Sequence, residues 1–195
     1  MELRKPKNHD HLVWKELGRE KLFDGPIFDL YSVTRESPSG LRGNFILIDS
    51  PDWVNVVALV KDDAGRDAFL MVRQFRQGAR TVTLEFPGGV IDPGETPEQA
   101  ARRELREETG YDAGRLTLAG KISPNPAIQD NWAYTYIAED LTFAGAQELD
   151  EHELMDYEIV PVEEAEEAMG AGPHVHAIMV VAMCFYRKWK ERGAG

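Results

Sequence analysis

Apolar and polar positions alternate with a period of two from Phe28 to Val33, Phe45 to Ile48 is a short apolar run, and Glu20 to Phe23 reads as a further short strand. A strand satisfies these patterns and a helix does not. Asp24-Gly25-Pro26, Ser37-Pro38-Ser39-Gly40 and Pro51-Asp52 break them as turns. A small sheet is therefore expected over the first part of the chain, apart from the core that follows. Val54 to Lys61 is a continuous apolar run ended by Asp62-Asp63-Ala64-Gly65, and Ala68 to Phe75 pairs with it as a hairpin. Thr81 to Phe86 reads as a further strand, stopped by Pro87-Gly88-Gly89. Later strands are expected at Leu116 to Ile122, Trp132 to Ala138 and Asp156 to Val160, with loops at Ser123-Pro124-Asn125-Pro126 and at acidic Gln147 to Glu153. Two helices close the chain, Glu163 to Met169 and roughly Pro173 to Glu191, the second ending in Arg187, Lys188, Lys190 and Arg192, which complement its dipole.

One helix in the middle is defined by its ends. Thr96 is a good N-cap, Pro97 stands where its missing N–H costs nothing, and Gln99 completes a capping box. Gly110 supplies the left-handed stop. Ala101 and Leu105 give it an apolar strip, while Glu104, Glu107 and Glu108 are spaced to share one face. Three like charges in one patch repel, so something must compensate. Ion pairs such as Glu98 with Arg102 and Arg103 with Glu107 would do so on a solvated face. A hard cation such as Mg²⁺, which prefers carboxylate oxygens, is the other way to balance them.

The 195 residues suit one main domain with an N-terminal extension, and a formal net charge of −12 argues against nucleic acid or an anionic membrane as partner. An anionic substrate would need metal ions to offset the repulsion. Cys184 is the single cysteine and lies in an apolar run, so a buried thiol and a reducing, cytoplasmic setting are expected. The N-terminus lacks an apolar signal core, and the longest apolar run, Ala177 to Tyr186, is too short to span a bilayer.

Gly89, five residues, Glu95, seven residues, then Arg103-Glu104-Leu105-Arg106-Glu107-Glu108-Thr109-Gly110-Tyr111 resembles the Nudix hydrolase signature G-x5-E-x7-R-E-U-x-E-E-x-G-U, in which U is a bulky apolar residue. Every fixed position matches, with Tyr111 where aliphatic residues are commoner. The resemblance implies an α/β fold, an α/β/α sandwich around a mixed sheet. On this reading residues 1–53 are N-terminal strands serving dimerisation and 54–195 the Nudix domain. It implies that Glu104, Glu107 and Glu108 hold Mg²⁺, with Mn²⁺ as the alternative ion. Gly89 and Gly110 shape the motif, and Glu95 either joins the metal site or forms a salt bridge to Arg103.

Within that family, Val72-Arg73-Gln74-Phe75-Arg76 and Leu84-Glu85-Phe86-Pro87-Gly88-Gly89 look like the ADP-ribose pyrophosphatases. Read alone, the two arginines are ordinary surface residues and Pro87-Gly88 an ordinary turn. The resemblance implies that Arg76, with Arg73 as the second arginine, binds the substrate's phosphates, and that the Gly88 carbonyl helps hold a metal. It also implies a water-activating glutamate in the Asp150-Glu151-His152-Glu153 loop, Glu153 first and Glu151 second. The N-terminal strands imply a homodimer in which Phe28 borders the partner's base pocket. The implied reaction splits ADP-ribose into AMP and ribose 5-phosphate. Another nucleotide sugar, such as a GDP-sugar, keeps the chemistry and changes the substrate. A nucleotide-binding regulatory module is the alternative of another class, which the full set of carboxylates opposes. Ser123-Pro124-Asn125-Pro126 replaces the Ser-Pro-Gly turn common in the subgroup, which leaves the substrate open.

Overall fold

The computed structural model describes residues 8–193, which fall into two compact units. The first runs to Pro51 and includes Asn125–Asn131. Its three strands, β1 (Lys15–Asp24), β2 (Asp29–Glu36) and β3 (Arg42–Asp49), form an antiparallel meander with β2 in the centre. The turns are those the Gly/Pro clusters predict. Val33 is the one residue of these strands that is fully shielded, while Leu22, Phe23, Phe45 and Ile46 remain exposed. The Asn125–Asn131 segment joins β3 through Ile48 N–H donating to the Ile128 carbonyl at 2.7 Å.

The second unit comprises Asp52–Pro124 and the chain from Trp132 onward. It holds a six-stranded mixed sheet of β4 (Trp53–Lys61), β5 (Asp67–Arg76), β6 (Thr81–Glu85), β7 (Tyr111–Ile122), β8 (Ala133–Phe143) and β9 (Met155–Pro161). β4 and β5 form the expected hairpin, β4 pairs in parallel with β8, and β7 runs antiparallel beside β8. β5 pairs along one edge with β9, and along the other with β4 near its start and β6 near its end.

Alternation along β4 sends Val54, Val56 and Ala58 to one face and Val57 to the other, so the sheet needs cover on both sides. Helix α1 (Pro97–Thr109) covers the first face with Ala100, Ala101 and Leu105. Helices α2 (Val162–Ala168) and α3 (Ala177–Glu191) cover the second with Val162, Ala165, Met179, Ala182, Met183 and Tyr186. Phe69 lies against Phe86 and Tyr186 in edge-to-face contacts at 5.2 and 4.9 Å. The result is the α/β/α sandwich expected.

Three local expectations need correction. β7 begins at Tyr111, directly after the α1 stop, because its first residues find partners on the far end of β8. α3 begins at Ala177 rather than Pro173, since the Pro173 carbonyl accepts from Leu84 N–H and the His174 carbonyl from Gly170 N–H. Cys184 is exposed: helical spacing turns Met179, Ala182, Met183 and Tyr186 inward and leaves position 184 on the outer side. Among the described residues no helix is long and apolar enough to cross a membrane.

Candidate active site

The α1 ends form as their residues dictate. Thr96 accepts from Gln99 N–H, the Gln99 side chain accepts from Thr96 N–H, and Gly110 caps the C-terminus at φ 76°. The preceding loop is laced to β4, with Val54 N–H donating to Gly89 and Val56 N–H to Pro87. Gly88, at φ +156°, runs so close to β4 that a Cβ would lie 2.2 Å from the Val54 carbonyl oxygen. A Cβ on Gly89 would lie 2.5 Å from Glu104 Oε1. The two glycines thus bring bare backbone against the glutamates of α1.

Arg103 is the hub of this face. It donates to both Glu95 oxygens at 2.9 Å, to Glu104 at 2.8 Å, to Glu107 at 3.1 Å and to the Val90 carbonyl at 3.0 Å. The Glu95–Arg103 bridge fixes the loop to the helix, the structural alternative set out for Glu95. Glu98 and Arg102 also pair as their spacing predicts.

The glutamate face is not the exposed surface that its charge suggests. Glu104 and Glu108 are buried, and only Glu107 keeps substantial contact with solvent. Burial pushes Glu104 up to about 7, opposed by Arg103 and reinforced by the charges of Glu107 and Glu153. Burial and then the Glu104 charge push Glu108 well above the carboxylate range, against the hydrogen bond that Gly88 N–H donates to its Oε2 at 2.8 Å. Two neighbouring buried carboxylates that would rather hold protons suit a divalent cation, whose charge offsets both the repulsion and the desolvation. Among the described residues no three ligating side chains already converge as a closed shell, because Glu104 and Glu107 both turn to Arg103.

The other expected residues divide into near and apart. Arg76 grips Glu85 with two parallel bonds, Nε to Oε1 at 2.9 Å and Nη2 to Oε2 at 2.8 Å. Burial works against its charge, but Glu85, then Glu108 and Glu153 at longer range, raise its pKa further. Arg73 is three residues away on the same strand and so faces the opposite side, where it pairs with Glu158 of β9. The structure therefore does not bring Arg73 to the Arg76 cluster.

Glu153 is exposed on its loop, its carboxylate accepting from Asp150 N–H at 3.1 Å while its own N–H donates to the Asp150 carbonyl. Its charge reaches Glu104, Glu108 and Arg76. The strand-ward neighbour of the pair thus faces the glutamates electrically, whereas Glu151 is only an exposed loop residue. The stretch before them is tied to the helix, since Gln147 Nε2 donates to the Glu108 carbonyl and Glu148 N–H to that of Glu107. Phe28 lies in the first unit, partly exposed beside Phe23.

Glu85, Thr83 and His176 form a cluster that sequence reasoning missed. Thr83 Oγ1 and His176 Nδ1 each lie 2.6 Å from the Glu85 carboxylate. A charged residue between Leu84 and Phe86 with a threonine two positions back is the signal for it, though the histidine is 91 positions away. The cluster walls a cleft of about 610 Å³ that also touches Gln74, Gln77 and His152.

The family model described as the NUDIX domain matches residues 51–179. The ADP-ribose pyrophosphatase of Bacillus subtilis is 35% identical over 152 residues, covering 77% of this chain and 80% of that protein. The ADP-sugar pyrophosphatase of Mus musculus is 45% identical over 127 residues, 62% of this chain and 57% of that protein. A crystal structure of an ADP compounds hydrolase superposes with a TM-score of 0.80 at 28% identity, covering 93% of this chain and 97% of that one. With its signature from Gly89 to Tyr111 intact, its sandwich fold and matches on this scale, the chain belongs to the Nudix hydrolase family.

Proposed function

We propose that the chain is a metal-dependent hydrolase of a nucleoside diphosphate joined to a second group, with ADP-ribose the first choice of substrate. The observation that carries this reading is the pair of buried carboxylates, Glu104 and Glu108, set against bare backbone at Gly88 and Gly89. Glu104, Glu107 and Glu108, with the Gly88 carbonyl, would hold Mg²⁺ or Mn²⁺. The ion would neutralise the diphosphate and make a bound water more acidic. Arg76 would present the outer edge of its fork to the phosphates, since Glu85 occupies only two of its five N–H groups. Glu153 would leave Asp150 and take or steer the water's proton, a step for which an exposed carboxylate on a loop is better suited than one engaged with a cation. The names of the similar proteins favour an adenosine diphosphate substrate over a GDP-sugar.

The experiment is a panel of nucleoside diphosphate compounds incubated with Mg²⁺, with products identified by mass. AMP and ribose 5-phosphate from ADP-ribose are expected. Preferential release of GMP from a GDP-sugar moves the reading to that substrate, and no nucleoside monophosphate from any compound moves it to a binding module. The first unit supports a dimer, because β1–β3 leave Leu22, Phe23, Phe45 and Ile46 exposed, more apolar surface than a lone meander shields. In that dimer Phe28 would border the partner's base pocket. Light scattering is expected to give twice the chain mass; a monomer at micromolar concentration removes this part.

A further inference from the structure

Glu85 is 2% exposed and each of its oxygens accepts two hydrogen bonds, Oε1 from Arg76 Nε and Thr83 Oγ1, Oε2 from Arg76 Nη2 and His176 Nδ1. A carboxylate offers about four lone-pair sites, so this one is saturated. Burial alone would push it up, yet the bonds from His176, Arg76 and Thr83 and the Arg76 charge hold it far below the usual carboxylate range. An ionised carboxylate cannot donate, so the His176 proton on this side sits on Nδ1 and Nε2 is left for another partner. Arg76 and His176 are 42% and 36% exposed at their side chains, and both line the cleft of about 610 Å³. One buried anion therefore fixes two half-open recognition groups that arrive from different elements.

A purely structural role accounts poorly for this arrangement. A buried ion pair adds little net stability compared with apolar packing of the same volume. Here the donors come from β5, β6 and the residue before α3, and two of the three keep a working edge toward the cleft.

We propose that Glu85 is a shared positioning residue, aligning Arg76 toward the diphosphate and His176 toward a hydroxyl of the group beyond it, and that it thereby sets which linked group the site accepts. This rests on the reading of the chain as a nucleoside diphosphate hydrolase. His176 Nε2 hydrogen-bonds a sugar hydroxyl, and a site built around such a bond discriminates against a compound that lacks it.

The test compares ADP-ribose with the ethyl ester of ADP, which keeps adenosine and the diphosphate and lacks the hydroxyls of the terminal sugar, in wild type, Glu85→Gln and His176→Phe. Glu85→Gln is expected to raise KM for both compounds by about tenfold or more, the scale of one lost hydrogen bond, with a smaller change in kcat. His176→Phe is expected to raise KM for ADP-ribose about tenfold more than for the ester. Equal effects of His176→Phe on the two compounds, or an unchanged KM in Glu85→Gln, overturn the proposal. If Glu85→Gln does not fold, His176→Phe decides alone, because that side chain is half exposed and caps nothing. A wild-type protein that cleaves neither compound removes ADP-ribose as the substrate, and this inference with it, whereas the hydrolase reading itself falls only if the wider panel yields no nucleoside monophosphate.

Discussion

Glu85 and Glu108 are both glutamates, both almost fully buried in the same unit, and their electrostatic states are opposite. Glu85 has a cation, an imidazole and a hydroxyl filling its lone pairs, so burial leaves it ionised. Glu108 has one backbone N–H and a second carboxylate for a neighbour, so burial drives it toward the neutral form. The difference shows that burial does not by itself decide a carboxylate's charge; the donors carried in with it do. A saturated anion holds its neighbours in place, whereas an undersupplied one has capacity for a cation.

The largest expected effect breaks the undersupplied side. Glu108→Gln should lower kcat by about a thousandfold, near the upper end for removing one electrostatic stabiliser, without lowering the melting temperature of the metal-free protein. Near wild-type turnover at saturating Mg²⁺ would show that this face is not the metal site. Next, Glu153→Gln should cut kcat by about a hundredfold, the scale of a lost general base, while substrate affinity measured with Ca²⁺ stays close to wild type. Glu151→Gln is the control, and a larger loss there would reverse the two assignments.

On the saturated side, Glu85→Ala should destabilise the fold by about 1–3 kcal/mol in chemical denaturation, a loss moderated by the partial exposure of Arg76. The sign relative to Glu108→Gln is the sharpest form of the comparison. The smallest effect is in pH. Glu104 holds its proton more tightly folded, at about 7, than its ordinary 4.5, so its contribution to metal-free stability is lost as pH rises through that interval. Glu85 behaves inversely: its contribution is present above the ordinary 4.5 and lost as pH falls below it. In EDTA the melting temperature should therefore fall between pH 5.5 and 8 more in wild type than in Glu104→Gln, and added Mg²⁺ should restore more of it at pH 8.

The glutamate box was legible because its information is local. Thr96, Pro97, Gln99 and Gly110 terminate α1 through contacts within a few residues, and the helical period places Glu104, Glu107 and Glu108 together. Its burial was not legible, since the loop that covers it is held by β4, more than thirty positions upstream. Arg76 could be singled out, but not its grip on Glu85, nor the separation of Arg73, which pairing with β9 settles. Cys184 illustrates the same limit: an apolar run predicts burial on average, and only the angular position on α3 says which member faces outward.

The lacing of Pro87–Gly89 to β4 also bears on how such a protein changes over generations. A side chain at Gly88 would strike the β4 backbone and one at Gly89 would displace the Glu104 carboxylate, so on the proposed reading substitution at either would disturb the metal site. Gly78 stands on the wall of the neighbouring cleft, and a Cβ there meets nothing within 4 Å. Libraries randomised at both places should return glycine alone from the first and a broad range of residues from the second. On the proposed reading, new substrate preferences would arise at the cleft while the reaction itself is inherited unchanged.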